Sequence, residues 1–301
     1  MLRSVIKINP EELLNFIINM FTDIHSHLYN FTLDEIKDII DRCTEAGVKR
    51  IITCVYNKDS LMKTIPILKS YKNIYLSMGV HPQAAWTEKK EYKDFIHIME
   101  EALEASVAAG EAGYDDYEGN PSIESQREAF IRQVEMVNIK KLPLIIHCRK
   151  AFEELFSDLK LLKDDVKIIM HSYSGGFKYL TPVIKKGFYI SFSGSLTFKR
   201  STNLKRIAAM VPLNRILCET DSPFIPPETI SRIDMSRPEH LAIVFNALKE
   251  TREEEECIVK KALETNASSL FDFERIDRNR EKYIQLLEKA LSADRGKYNT
   301  V

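Results

Sequence analysis

Glycine and proline are scarce in this chain of 301 residues, ten and eleven respectively. That is too few for a collagen-like or low-complexity polypeptide. No stretch approaches the roughly 20 consecutive apolar residues that a membrane span needs. Neither sign of charge dominates: 43 Lys and Arg stand against 44 Asp and Glu, a formal net of −1. This balance excludes a histone-like binder held by bulk charge, and nucleic acid would have to be gripped locally. The five cysteines (Cys43, Cys54, Cys148, Cys218, Cys257) form no CxxC pair and are odd in number. They argue against a secreted disulfide framework and for free thiols in a reducing compartment, so a cytoplasmic protein is expected. The N-terminal apolar stretch is broken by Pro10, Glu11 and Glu12 and lacks a clean signal-peptide core. Neither a membrane nor an obligate protein partner is indicated.

What the chain does have is an ordinary globular composition, 44% hydrophobic and 29% charged, with 15 Phe and 12 Tyr. Short apolar, β-rich runs at 21–25, 48–55, 74–80, 106–111, 144–147, 166–171, 188–192 and 215–219 alternate with segments of helical period. In 33–46, for example, Leu33, Ile36, Ile39, Ile40 and Cys43 mark one helical face. Eight strands, each followed by a helix or loop, predict a parallel sheet closed as a (β/α)8 TIM barrel, with a doubly wound open sheet as the competing architecture. Both ends carry extra material. Asn9, Pro10 and Glu12 read as the capped start of a helix in an extension over 1–19. At the other end, Ile284, Leu287 and Leu291 mark a surface-packing helix in an extension over 273–301. The expected organisation is one barrel over 20–272 with two short helical extensions.

The suggestive histidines and carboxylates fall at the predicted C-terminal ends of strands. His25 and His27 end the first, His81 the third, Glu111 the fourth, His147 the fifth, His171 the sixth and Asp221 the eighth. In such a barrel the C-terminal rim holds the active site, so seven residues distant in sequence should converge on one mouth. Imidazoles and carboxylates around one pocket suit zinc, manganese or magnesium better than soft thiolate chemistry. In His25-Ser26-His27 both rings project from one side of an extended chain, as two ligands of one ion would. Glu111 follows the apolar Val107-Ala108-Ala109-Gly110, where a carboxylate is expensive to bury without a cation or donor.

With these residues in place the chain resembles a known family. FTDIHSH (21–27), MGVHP (78–82), GEAGYDD (110–116), LIIHCR (144–149), HSYSGG (171–176), FYISFSGSLTF (188–198) and LCETDSPFIPP (217–227) are similar, in order, to the signatures of the TatD family of metal-dependent hydrolases and deoxyribonucleases. TNASSLF near residue 271 resembles the family's closing helix. The resemblance implies an amidohydrolase-like barrel and two divalent metal ions (Mg, Mn or Zn). By position, His25 and His27 match the pair that holds one ion with Asp221, Glu111 matches the bridging glutamate, and His147 and His171 match ligands of the second ion. His81 matches a histidine placed for substrate phosphate. Asp221, Glu111 and His81 are the implied catalytic residues, His81 and Arg149 the implied substrate contacts, and Asp23 and Glu219 the implied groups behind the ligands.

Two departures bear on the pocket. Tyr114 and Asp116 stand where the family usually has Leu and Tyr, which changes a wall of the pocket and leaves the bridging glutamate alone. Residues 230–238 are a degenerate version of the family's loop after ETDSP, which puts substrate contacts from that loop in doubt. Phe198-Lys199-Arg200, with Lys205 and Arg206, follows the seventh strand and either adds local positive charge or forms a solvated helix face. The resemblance implies hydrolysis of phosphodiester bonds in DNA, trimming single strands from the 3′ end. The alternative keeps the site and changes the bond, to an amide or ester including aminoacyl-tRNA. A catalytically silent scaffold would be expected to lack at least one of the six ligands, and all six are present.

Overall fold

The computed structural model describes residues 21–231 and 234–293. In chain order the elements are β1 (Phe21–Ser26), α1 (Leu33–Glu45), β2 (Val48–Val55), α2 (Lys58–Ser70), β3 (Ile74–Met78), α3 (Lys90–Ala102), β4 (Ala108–Asp115) and α4 (Ile123–Lys140). Then follow β5 (Leu144–Arg149), α5 (Phe152–Asp158), β6 (Ile168–Met170), α6 (Gly176–Lys185), β7 (Tyr189–Phe192), α7 (Thr202–Met210), β8 (Ile216–Cys218), α8 (Leu241–Lys249), α9 (Glu256–Leu270) and α10 (Phe273–Ala293). The eight strands lie in the order β1 to β8, all parallel. The expected (β/α)8 barrel is therefore the architecture, with helices on the outside. The helical extension expected over 1–19 lies outside the described residues.

Local chemistry sets the element boundaries. Thr32 caps α1 by accepting from the Glu35 N–H, while the Glu35 carboxylate accepts from the Thr32 N–H, a reciprocal capping box. Ile36, Ile39 and Cys43 bury against the sheet as the period requires, but Leu33 is exposed and Ile40 only half-buried. The buried stripe is thus narrower than the predicted face, because Leu33 sits in the first turn, beyond the reach of the sheet. The fourth strand differs more. Glu111 was expected to end it, yet β4 runs on to Asp115 and pairs with β5 as far as Arg149. Gly113 permits this close approach, since a Cβ there would lie 2.0 Å from the His147 carbonyl oxygen.

The barrel closes between β8 and β1 by backbone bonds at the rim: Asp221 N–H donates to His25 O (2.9 Å) and His27 N–H to Ser222 O (2.6 Å). At the opposite end, Glu264 of α9 accepts from Thr22 Oγ1 and pairs with Arg50, which fixes β1 and β2 to that helix. Helix α10 packs its Ile276, Tyr283 and Leu287 against the barrel beside α2 and α3. Arg275 and Arg280 of α10 donate to backbone carbonyls of Ser106 and Lys72, each at 2.6 Å.

Candidate metal centre

The rim brings the predicted residues together from six strands or the loops just beyond them. His25 and His27, two apart in β1 and its end, place their Nε2 atoms 3.1 Å from each other. At that distance the pair can share at most one proton, and a cation would satisfy both lone pairs. Asp221 Oδ1 lies 3.4 Å from His27 Nε2 and 3.7 Å from His25 Nε2. Its backbone is in the left-handed region (φ 54), an unusual conformation for a non-glycine residue, pinned by the bond to His25 O and by the Phe224 N–H donating to Asp221 O.

Glu111 stands at the centre, and its two oxygens face different groups. Oε2 is 3.3 Å from His25 Nε2 and 3.8 Å from His27 Nε2. Oε1 is 2.8 Å from His147 Nδ1, 3.3 Å from His171 Nε2 and 3.6 Å from His81 Nε2. Three trios of donors result: His25, His27 and Asp221; His25, Glu111 and His171; and His81, Glu111 and His147. The separations match the spacing of ligands around one small ion, about 3.0–3.4 Å for bonds near 2.1 Å. In the first two trios geometry and donor chemistry both fit a divalent cation. Burial works against charge on Glu111 and Asp221, but the neighbouring histidines outweigh it and hold both carboxyls below the usual range.

The partners behind the rings are unequal. His171 Nδ1 lies 2.8 Å from Glu219 Oε1, and Glu219 also accepts from the Ser172 N–H (2.8 Å) and the Ser191 hydroxyl (2.6 Å). Burial opposes charge on His171, yet Glu219, Glu111 and Asp221 together push it up to about 10. His147 Nε2 lies 3.2 Å from Asp115 Oδ2. Burial likewise opposes charge on Asp115, but hydrogen bonds from His147 and Arg149 hold it at about 2. By contrast, His25 Nδ1 meets the Cys54 thiol (3.1 Å), and His27 Nδ1 the Cys54 carbonyl (3.3 Å) and the Tyr29 hydroxyl (3.4 Å). Burial, with His171 nearby, drives the His25 pKa down.

His81 is distinguished by its tautomer. The Gln83 backbone N–H donates to His81 Nδ1 (3.1 Å), so that nitrogen is an acceptor. Burial lowers the ring to about 3, keeping it neutral, and its one proton therefore sits on Nε2. His81 turns an N–H donor into the pocket, and that nitrogen has no lone pair for a metal.

The remaining predicted residues divide. Asp23 is fully buried and never reaches the mouth. It accepts from the Thr220 N–H (2.9 Å) and hydroxyl (2.5 Å), tying β1 to the chain that carries Asp221, and burial pushes its carboxyl up to about 8. Arg149 stands on the rim with Nε donating to Asp115 Oδ1 (2.7 Å) and its guanidinium 4.2 Å above the Tyr117 ring. Lys199 and Arg200 line a separate hollow with Pro226 and Pro227, and Arg206 lies over Phe177 on the α7 side. In the degenerate loop, Arg237 pairs with Asp38 of α1. Sequence reasoning missed Asp115 and Cys54 as partners of ligands. Asp115 was visible inside GYDD. Cys54 carried no signal, because a buried thiol reads as core.

Known proteins resemble the chain in both sequence and fold. Residues 22–272 match the family described as TatD related DNase. The chain is 31% identical over 237 residues to the metal-dependent hydrolase YabD of Bacillus subtilis, covering 78% of this chain and 92% of that one. It is 28% identical to the metal-dependent hydrolase YjjV of Escherichia coli over 258 residues, 84% of this chain and 98% of that one. The crystal structure of YjjV, a TatD homologue, superimposes with a TM-score of 0.76 over 85% of this chain and 99% of its own. A TatD-family hydrolase from Entamoeba histolytica, 18% identical, shares the fold with a TM-score of 0.72 over 84% of this chain and 98% of that one.

Proposed function

We propose, from the premise that this chain belongs to the TatD family of metal-dependent hydrolases, that it cleaves phosphodiester bonds of DNA, removing nucleotides from the 3′ end of single strands. The observation that carries this reading is Glu111, whose two carboxylate oxygens face opposite histidine groups. Such a carboxylate would suit two divalent ions, which His25, His27 and Asp221 on one side and His147 and His171 on the other would hold. Such ions, when bound, neutralise phosphoryl charge and acidify a water at neutral pH.

The chain's own groups supply the rest. Asp221, held below the usual carboxylate range, is ionised and takes the proton released as water attacks the phosphorus, then passes it to the leaving oxygen. His81, its proton on Nε2, donates to a phosphoryl oxygen as charge builds there. Arg149 is fixed through Nε to Asp115, which leaves its terminal N–H groups to meet phosphate at the rim. Glu219 and Asp115 orient His171 and His147, and Asp23 holds the strand of His25 against the loop of Asp221. The cytoplasm is the proposed compartment, supported by the five free cysteines, four of them buried.

The test is metal-dependent release of mononucleotides from single-stranded DNA, run beside amide, ester and aminoacyl-tRNA substrates. Turnover of the DNA that is abolished by a chelator and restored by Mg2+, Mn2+ or Zn2+ supports the reading. Hydrolysis of only the amide or ester substrates overturns it.

A further inference from the structure

Two hollows flank the donor cluster and share His147, Arg149, His171, Asp221 and Ile225 in their common wall. They differ in chemistry. The larger, about 450 Å3, sets Ser172, Ser174, Ser195 and Asn203 among the apolar side chains of Leu204, Ile207 and Ile225. The smaller, about 240 Å3, opens over Glu111 and His81 and is walled by Tyr29, Tyr56 and Phe224 with Gln83 beside them. These three rings come from the loops after β1, β2 and β8, which are neighbours around the closed barrel.

The rings are held as a set. Edge-to-face contacts run from Phe224 to His27 (5.4 Å, 69°), His27 to Tyr29 (5.8 Å, 79°), Tyr29 to Tyr56 (5.9 Å, 69°) and Tyr56 to His81 (6.4 Å, 62°). Aromatic rings packed in this way fix each other's orientation. Phe224 is half exposed at the end of the series. Its backbone is secured by the bond from its N–H to Asp221 O and by the following Ile225 at φ 47. An ordered apolar ring three residues from a metal-facing carboxylate, left open to the pocket, is suited to stack on a flat group of the substrate. A hollow of about 240 Å3 is smaller than the roughly 300–1,000 Å3 of a whole-ligand pocket, so it takes one fragment at a time.

We propose that this aromatic hollow is the base subsite for the terminal nucleotide beside the scissile phosphodiester, with Phe224 as its stacking face and Tyr29 and Tyr56 as its walls. The proposal rests on the phosphodiesterase reading and deepens it. Every base has a π face, so the subsite selects for the presence of a base and accepts any of the four.

The experiment compares two single-stranded DNA oligonucleotides, one intact and one with a stable abasic unit as its 3′-terminal nucleotide. Both carry a 5′ label, and kcat and KM for shortening are measured with the full chain and saturating Mn2+. The wild-type protein should prefer the intact strand. In Phe224→Ala the ratio of the two kcat/KM values should fall by about 5- to 150-fold, the worth of one base–aromatic stack, chiefly through KM for the intact strand. Phe224→Trp should restore it. If both strands are shortened and the Ala variant lowers them alike, the hollow is not a base subsite, although the phosphodiesterase reading stands. If wild-type protein shortens neither strand yet turns over esters or amides, the phosphodiesterase reading itself fails and takes the subsite with it.

Discussion

Replacing Glu219 with glutamine removes one charge from behind a metal-facing histidine and very little else. The glutamine oxygen can keep both contacts of Oε1, with His171 Nδ1 and the Ser172 N–H. The new amide N–H can donate to Ser191 Oγ, whose hydroxyl turns from donor to acceptor. Two effects of opposite sign follow. In the metal-free protein the nearby carboxylates, Glu219 foremost, raise His171 to about 10. A divalent ion taking Nε2 must therefore displace a proton. At pH 7.5 that competition costs about 3 kcal/mol and makes apparent affinity climb roughly tenfold per pH unit. Removing the charge lowers the His171 pKa and relaxes the competition. It also removes the negative charge that faces the ring at 2.8 Å, a change that weakens metal binding by about 10- to 100-fold.

The variant should thus bind Mn2+ or Zn2+ at most about tenfold more weakly near pH 9, where the parent still gives up about tenfold to the His171 proton, with the gap closing and then reversing towards pH 6.5. The assay is competition with a chromophoric chelator from pH 6.5 to 9, with protons released on binding counted by calorimetry in two buffers of different ionisation enthalpy. The slope of log affinity against pH should drop by as much as one in the variant. Parallel curves separated by a constant offset would refute the argument, because they would mean that Glu219 does not set the proton His171 gives up.

Glu111→Gln and Asp221→Asn should fail differently: the first weakens both ion sites at once, whereas the second retains metal while turnover falls by about 10²- to 10⁴-fold, as metal content after dialysis and DNA hydrolysis at saturating metal will show. Asparagine tolerates the left-handed backbone at 221, so misfolding should not mask that difference. His81→Asn should lower kcat and leave bound metal unchanged, because the ring presents an N–H to the pocket; loss of an ion in elemental analysis would reverse that assignment. The metal-free protein should lose stability as pH rises from 6.5 to 8. His171, raised to about 10, gives stability that is full below its unfolded pKa of 6.5 and fades on the way to the folded value. Asp23, raised from 3.8 to about 8, likewise makes the folded state bind the extra proton across that window. Each contributes up to about 2 kcal/mol, and a melting temperature that climbs over the same range would contradict both.

The barrel was legible because each strand is a short apolar run bounded by helical period, and a parallel sheet needs little more than that. Six of the metal-facing candidates were legible for a related reason: the C-terminal rim collects whatever follows an apolar run, so position along the chain stood in for position in space. Strand ends were less readable. Glu111 looked terminal because Gly110 and Gly113 resemble punctuation, whereas in the barrel they let β4 slide close against β5 and carry the pairing on to Asp115.

That extension has a consequence for the chemistry. It places Asp115 against both His147 and Arg149, so one carboxylate steadies a metal-facing ring and a rim cation together. A corresponding anion, Glu219, stands behind His171, while His25 has a thiol and His27 a carbonyl and the Tyr29 hydroxyl, all uncharged. The two sides of Glu111 are therefore chemically unequal. Imidazoles backed by anions are stronger bases, holding protons more firmly without metal and giving more electron density to an ion when one is bound. On the other side, the two imidazoles rely on Asp221 and Glu111 for nearby negative charge. No spacing in the sequence encodes that difference, because it arises from what lies behind each ring, and those partners come from strands up to 48 residues away, as Glu219 does from His171.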